Sequence, residues 1–62
     1  MTLKEYKLRT GVTYSEIARR CGKSPHYISA VANGLYRPNR RVARMIELAT
    51  DSKVPLSQWY GE

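Results

Sequence analysis

The chain has 62 residues, the length of one small domain, residues 1–62. A domain of this size buries only about 60% of the surface that its unfolded chain exposes, which leaves little room for an enclosed active site. The single cysteine, Cys21, excludes an internal disulfide, and no apolar run approaches the roughly 18 residues of a membrane span or forms the core of a signal peptide, so we expect a cytoplasmic protein. The net charge is +6, and no acidic residue lies between Glu16 and Glu47, which indicates a polyanionic partner.

The first predicted helix begins with a capping box. Thr2 and Glu5 have the spacing at which the side chain of each residue can bond the backbone N–H of the other. This pattern predicts a helix over residues 2–9. Gly11 is expected to end it, because glycine accepts the left-handed conformation found after a helix.

The second predicted helix follows directly. Thr13 and Glu16 form another capping box, and the helix is predicted to run over residues 14–21. Gly22 then supplies its stop. The apolar side chains that share one stripe of this helix are Tyr14, Ile17, Ala18 and Cys21.

The third predicted helix starts only a few residues later. Ser24 is a suitable N-cap, and Pro25 stands where the first helical turn accepts proline. These signals predict a helix over residues 25–33, ended by Gly34. Its core-facing residues are predicted to be Ile28, Val31, Ala32 and Leu35.

The rest of the chain predicts one longer helix and one short one. Asn39 is a suitable N-cap for a helix over residues 40–49, a polar turn follows, and residues 55–60 predict a short last helix. The only place for a strand is around Val54, and too few residues follow for a stable hairpin, so an all-α fold is favoured. The predicted inward residues are Val42, Met45, Ile46 and Ala49, and then Leu56 and Trp59.

The second and third helices have the residue spacing of a helix-turn-helix motif. With Tyr14 as position one, alanine stands fifth, glycine ninth, and branched residues fifteenth and eighteenth; these are Ala18, Gly22, Ile28 and Val31. The whole motif resembles the DNA-binding motif of lambda-type phage repressors; it is the stretch TYSEIARRCGKSPHYISAVANG. The start of the chain, TLKEY, resembles the opening of phage Cro proteins. The end resembles the close of helical Cro regulators; it is the stretch IELATDSKVPLSQWYG. The resemblance to a small Cro-type repressor covers nearly the whole chain. It implies a compact five-helix lambda-repressor-like domain whose third helix enters the major groove.

One side of the third helix carries side chains that can contact base edges. Counted at about 100° per residue from Ile28, they lie opposite the core. Asn33 can pair with adenine through two hydrogen bonds, Ser29 can donate or accept one, and Ala30 can contact a thymine methyl group. The resemblance implies that the first turn also contacts bases, although Pro25 replaces the glutamine of better-known repressors there. The predicted base-contacting residues are Pro25, His26, Tyr27, Ser29, Ala30 and Asn33.

Other residues are predicted to contact the DNA backbone, which positions the protein without specifying sequence. Tyr14 has two open interpretations: its phase places it on the core stripe, and the resemblance places it where family members carry a phosphate-binding glutamine. Tyr27 can meet a phosphate, a sugar or another helix. The resemblance implies that the loop after the motif and the start of the fourth helix contact the sugar–phosphate backbone. The predicted backbone-contacting residues are Tyr14, Ser15, Ser24, Arg37, Asn39, Arg40 and Arg41.

The residue types that catalysis and metal binding need are scarce. Cys21 is predicted to be a small buried apolar residue, and its spacing from His26 indicates no catalytic pair. One cysteine and one histidine fall short of the three or four ligands of a metal site. Arg19 and Arg20 lie on the outer face of the second helix, where we expect them to be solvated rather than to contact DNA directly. The sequence therefore predicts no enzyme activity, cofactor, metal or small-molecule substrate.

The resemblance and the basic interval together predict a sequence-specific transcriptional repressor whose partner is a double-stranded DNA operator. One helix contacts few bases, so we expect a weak homodimer on a palindromic operator, with two third helices about 34 Å apart. The dimer surface is left open between the fourth helix, the loop before it and the segment around Trp59 and Tyr60. A protein-interaction module on the same fold, such as an antitoxin-like or accessory factor, is the first alternative. An RNA-binding or general polyanion-binding protein is the second, and a basic face that is only solvated is the third.

Overall fold

The structure, a computed structural model, describes residues 1–60 as helices joined by short turns. Its elements in chain order are α1 Leu3–Thr10, α2 Tyr14–Cys21, α3 Pro25–Ala32, α4 Arg40–Ala49 and a 3-10 helix at Leu56–Gln58. Residues 1–60 contain no β-strand, so the predicted all-α class is confirmed. The four α-helices lie within one residue of their predicted ends, because their caps are local signals in the sequence.

The prediction of five helices is wrong, because the segment 55–60 forms only a single 3-10 turn. The Gln58 N–H donates to the Pro55 carbonyl at 2.9 Å, and the Trp59 N–H donates to the Leu56 carbonyl at 3.1 Å. A segment this short forms too few hydrogen bonds to offset the cost of starting an α-helix. Trp59 still packs against the core as predicted, whereas Leu56 is only partly buried and lies outside the core cluster.

The N-terminus of each α-helix is capped by a side chain that accepts a backbone hydrogen bond. The capping side chains are those of Thr2, Thr13, Ser24 and Asn39. In α1 the Thr2 N–H also donates to the Glu5 carboxylate, so the first predicted capping box is confirmed. In α2 the Thr13 hydroxyl accepts from the Glu16 N–H, but the Glu16 carboxylate pairs with two arginines of the next turn. Only half of the second predicted box therefore forms.

Gly22 turns the chain from α2 towards α3. It has a φ of 70°, and its N–H donates to the Arg19 carbonyl at 3.3 Å, while the Lys23 N–H donates to the Ala18 carbonyl at 2.9 Å. This pair of hydrogen bonds is a Schellman motif, which requires a left-handed residue at the position of Gly22. The helix stop predicted at Gly22 is confirmed.

The hydrophobic core lies where α2 packs against α3 and α4. Ile17 of α2, Ile28 of α3 and Ile46 of α4 are all fully buried, so one large side chain from each helix fills the centre. Ala43 is also fully buried, although the sequence did not indicate it as an inward residue. The full buried cluster consists of Leu3, Tyr6, Ile17, Ala18, Cys21, Ile28, Val31, Val42, Ile46 and Val54.

Leu35 does not belong to this core, and its predicted place on the core stripe of α3 is wrong. Its side chain is 80% exposed. The prediction extended the helical period beyond Ala32, where α3 ends. Gly34 has a φ of 77°, and the Leu35 N–H donates to the Ala30 carbonyl at 3.0 Å in the closing turn. The chain has left the helix at that point, so the helical period no longer decides where its side chains lie.

The buried Thr50 hydroxyl links the end of α4 to the segment that follows. It donates to the Ile46 carbonyl at 2.9 Å and accepts from the Val54 N–H at 3.1 Å. We expect Thr50→Val to lower the free energy of unfolding by about 1–3 kcal/mol, because the Val54 N–H is then buried without an acceptor. Urea denaturation measures this difference.

Thr10 offers a matched control. Its hydroxyl donates to the Tyr6 carbonyl and accepts from the Val12 N–H, but Thr10 lies on the surface. The Val12 N–H lies at the surface, where water can replace the lost acceptor, so Thr10→Val should change the free energy of unfolding by no more than about 0.5 kcal/mol. Equal effects of the two substitutions would contradict a role for burial at Thr50.

Candidate nucleic-acid interface

The turn between α2 and α3 sets the orientation of α3. The Ser24 hydroxyl accepts from the Tyr27 N–H at 3.2 Å, and Pro25 occupies the first helical turn, where no backbone donor is needed. Ile28 and Val31 are buried in the core against which α3 packs. The opposite side of α3 is consequently left at the molecular surface.

The six predicted base-contacting residues, here called the recognition face, all lie outside the buried core. Pro25, His26 and Asn33 are exposed. The other three, Tyr27, Ser29 and Ala30, are partly buried, and Tyr27 packs against the core. Their contacts with bases stay a prediction.

A shallow apolar groove borders the recognition face. Its lining residues are Ser24, His26, Tyr27, Ala30, Leu35 and Tyr36. The rings of Tyr27 and Tyr36 meet edge to face, with their centroids 5.0 Å apart. Burial is the main cause that raises the pKa of Tyr27, and the nearby Tyr36 raises it further. The Tyr27 hydroxyl therefore stays protonated and able to donate at neutral pH. Leu35 and Tyr36 were not predicted to line this surface; their place just after Gly34 was the available signal.

The residues 37–41, here called the basic segment, follow this groove. Arg37, Arg40 and Arg41 are exposed, whereas Pro38 between them is fully buried. The Asn39 side-chain oxygen accepts from a backbone N–H at the start of α4, so its amide nitrogen stays available to donate. The segment thus presents three cations and one amide from an anchored backbone.

The last part of the interface is the start of α2. Tyr14 is partly buried against the core, and the Lys7 ammonium lies 4.5 Å from its ring centroid. The core interpretation of Tyr14 is therefore confirmed in part, and its phosphate contact stays a prediction. Ser15 is exposed beside it. Backbone N–H groups at a helix N-terminus favour anions, which fits a phosphate at this end of α2.

Residues 1–50 match the family model described as a helix-turn-helix domain. The chain belongs to the helix-turn-helix family. No curated protein and no solved structure matches it. Proteins of this class bind DNA through the second helix of the motif, which is α3 here.

The helix-turn-helix match covers all four α-helices and ends at Thr50. Residues 51–60, which include the 3-10 helix, lie beyond it. Tyr60 in this segment nevertheless contacts the basic segment, because its hydroxyl donates to the Pro38 carbonyl at 2.7 Å. The sequence carried no signal for this contact, which joins residues 22 positions apart.

On the outer face of α2, two exposed arginines of the helix-turn-helix motif are paired rather than free. Glu16 accepts hydrogen bonds from Arg19 and Arg20. Both bonds lower the pKa of the Glu16 carboxyl group, and the bond from Arg19 has the larger effect. Arg20 also donates to the Ala49 carbonyl at 2.8 Å, at the end of α4. Both arginines lie at the surface, as expected, and each in addition pairs with Glu16, which lies one turn before them.

Cys21 is buried in the helix-turn-helix core, as the sequence predicted. Burial raises the pKa of its thiol against the opposing effect of Lys23, so the thiol stays neutral at physiological pH. Within residues 1–60 no cluster of three or more His, Cys, Asp or Glu side chains is placed to hold a metal ion. None of the described helices has the length and apolar character needed to cross a membrane.

Proposed function

We propose that this chain is a sequence-specific transcriptional repressor of the Cro type, which binds a palindromic DNA operator as a homodimer with α3 in the major groove. Repression would follow from occupation of a promoter. The observation that carries the proposal is the arrangement of α3, which is buried through Ile28 and Val31 and presents His26 and Asn33 to solvent.

The charge distribution supports duplex DNA as the partner. Seven cationic residues and no acidic residue lie between Glu16 and Glu47, and this interval includes α3 and the basic segment. Arg37, Arg40 and Arg41 stand beside the recognition face in the chain and can contact phosphates. Such contacts provide affinity for any sequence, while the recognition face provides the preference for one.

Dimerisation is part of the proposal because an eight-residue helix contacts few base pairs. Two α3 helices about 34 Å apart can bind successive turns of the major groove on one side of the duplex. We place the contact between copies on α4, where Leu48 is 66% exposed and borders a groove with Met45 and Ala49. One exposed leucine provides little apolar area, so the dimer should be weak and completed on DNA.

A selection for bound sequences from a random pool of duplexes tests this function. An enriched palindrome supports the repressor. Tight, salt-sensitive binding without enrichment supports an RNA-binding or general polyanion-binding protein instead. Absence of duplex binding at physiological salt supports an antitoxin-like or accessory interaction module.

Asn33 provides a test of the recognition face. We expect Asn33→Ala to weaken binding to the selected site by about 1–3 kcal/mol and to relax the preference at one base position, because a bidentate contact with adenine is lost. Fluorescence anisotropy on the selected duplex and its single-base variants measures both effects.

Two further substitutions serve as controls for Asn33. Leu8→Ala truncates an exposed, uncharged side chain of α1 and should leave the affinity and the base preference unchanged. Arg40→Ala should weaken all duplexes by the same factor and lower the salt slope by about one unit. If Asn33→Ala behaves like Arg40→Ala, Asn33 contacts the backbone and not a base.

A further inference from the structure

We propose that Tyr60 is a positioning residue that holds Arg37 and Arg40 ready for phosphate contact. The inference rests on the proposed binding of duplex DNA, but it does not depend on sequence preference. It assigns a role in DNA affinity to a residue beyond the part of the chain that matches the helix-turn-helix family.

The Tyr60 ring contacts both arginines. The guanidinium carbon of Arg37 lies 4.3 Å from the ring centroid, and that of Arg40 lies 5.1 Å from it. Both distances fall within the roughly 6 Å range in which the negative face of an aromatic ring attracts a cation. One ring therefore restrains two like charges that would otherwise repel each other.

The ring is itself fixed to the loop that carries these arginines. The Tyr60 hydroxyl donates to the Pro38 carbonyl at 2.7 Å, and Pro38 is fully buried between the two arginines in the chain. Proline also has a fixed φ angle, so its carbonyl is a rigid anchor. Tyr60, Pro38 and the two arginines thus form one connected unit.

A neutral partner preserves the charge that phosphate contact needs. Arg19 and Arg20 are paired with the Glu16 carboxylate, which cancels part of their positive charge. Among residues 1–60 no carboxylate forms an ion pair with Arg37 or Arg40. Tyr60 orders these two side chains without neutralising them, so less side-chain entropy is lost when DNA binds.

The test measures binding of a 20-base-pair duplex of arbitrary sequence by the full chain and its variants. Tyr60→Leu should weaken binding about 3- to 10-fold, whereas Tyr60→Phe, which keeps the ring, should recover most of the loss. In the Arg37→Ala, Arg40→Ala background, Tyr60→Leu should have no further effect. An equal loss in both backgrounds, or no loss in the parent chain, would overturn the inference.

A second measurement needs no variant and is independent of any effect on folding. In the NMR spectrum of the parent protein, nuclear Overhauser effects should connect the Tyr60 ring protons with the side-chain protons of Arg37 and Arg40. Their absence would overturn the inference. A parent chain that binds duplexes without sequence preference removes only the proposed repressor function, whereas a parent chain that binds no duplex removes both.

Discussion

Simultaneous replacement of Arg37, Arg40 and Arg41 by alanine should reduce the magnitude of the slope of log affinity against log salt by about 2.7 for each bound copy of the chain. Each lost phosphate contact removes about 0.9 units of that slope. Since the curves of the parent and the variant converge near 1 M salt, binding at 0.1 M salt should be about 500-fold weaker per copy. The base preference should persist, because the recognition face is unchanged. Titrations at several salt concentrations on the selected duplex and on an unrelated one measure all three quantities.

A variant with the same loss of charge provides the control. Lys4, Arg9 and Lys53 are exposed cations of α1 and of the turn after α4, outside the basic segment. Their joint replacement by alanine lowers the net charge of +6 by the same three units. We expect it to change the slope far less. A similar slope in both triple variants would show that net charge, and not the basic segment, drives the association.

Ile28→Ala is expected to have a large effect on stability. The Ile28 side chain is fully buried between α3 and the rest of the core, so its truncation leaves a cavity and lowers the free energy of unfolding by about 2–5 kcal/mol. A domain of this size has a free energy of unfolding that is itself only several kcal/mol. Thermal and urea unfolding should therefore show a protein that is largely unfolded at 37 °C.

Leu35→Ala is the matched control for Ile28→Ala. Both residues are predicted by helical period to lie on the same core stripe, but Leu35 is 80% exposed. Its truncation should change the free energy of unfolding by no more than about 0.5 kcal/mol. A large destabilisation by Leu35→Ala would mean that its side chain is covered in solution.

The recognition face is the part of the site that follows most directly from the sequence. Ser24, Pro25 and Gly34 bound α3, and the positions of Ile28 and Val31 decide which side of that short helix is buried. The opposite side is then set by helix geometry alone. Helix geometry gives the wrong place for Leu35, because a helical period holds only as far as the helix does.

The surroundings of the site differ in how far the sequence could predict them. The apolar groove lies within residues 24–36, and the place of Leu35 and Tyr36 just after Gly34 was a local signal for it. The restraint of Arg37 by Tyr60 joins the basic segment to the C-terminal segment. That contact has no fixed spacing in the sequence and became visible only once the packed positions of these segments were known.

The sequence by itself determined the ends of the four α-helices, the buried stripe of α2, part of that of α4, and the side of α3 that is left at the surface. These features depend on caps and on a helical period, which act within a few residues of one another. Only the tertiary structure decided that the last helix is a 3-10 turn, that Leu35 lies at the surface, and that Tyr60 restrains two arginines. The first two outcomes depend on how far each helix runs. The contact of Tyr60 depends on where distant segments meet in the packed domain, and local propensity does not encode that position.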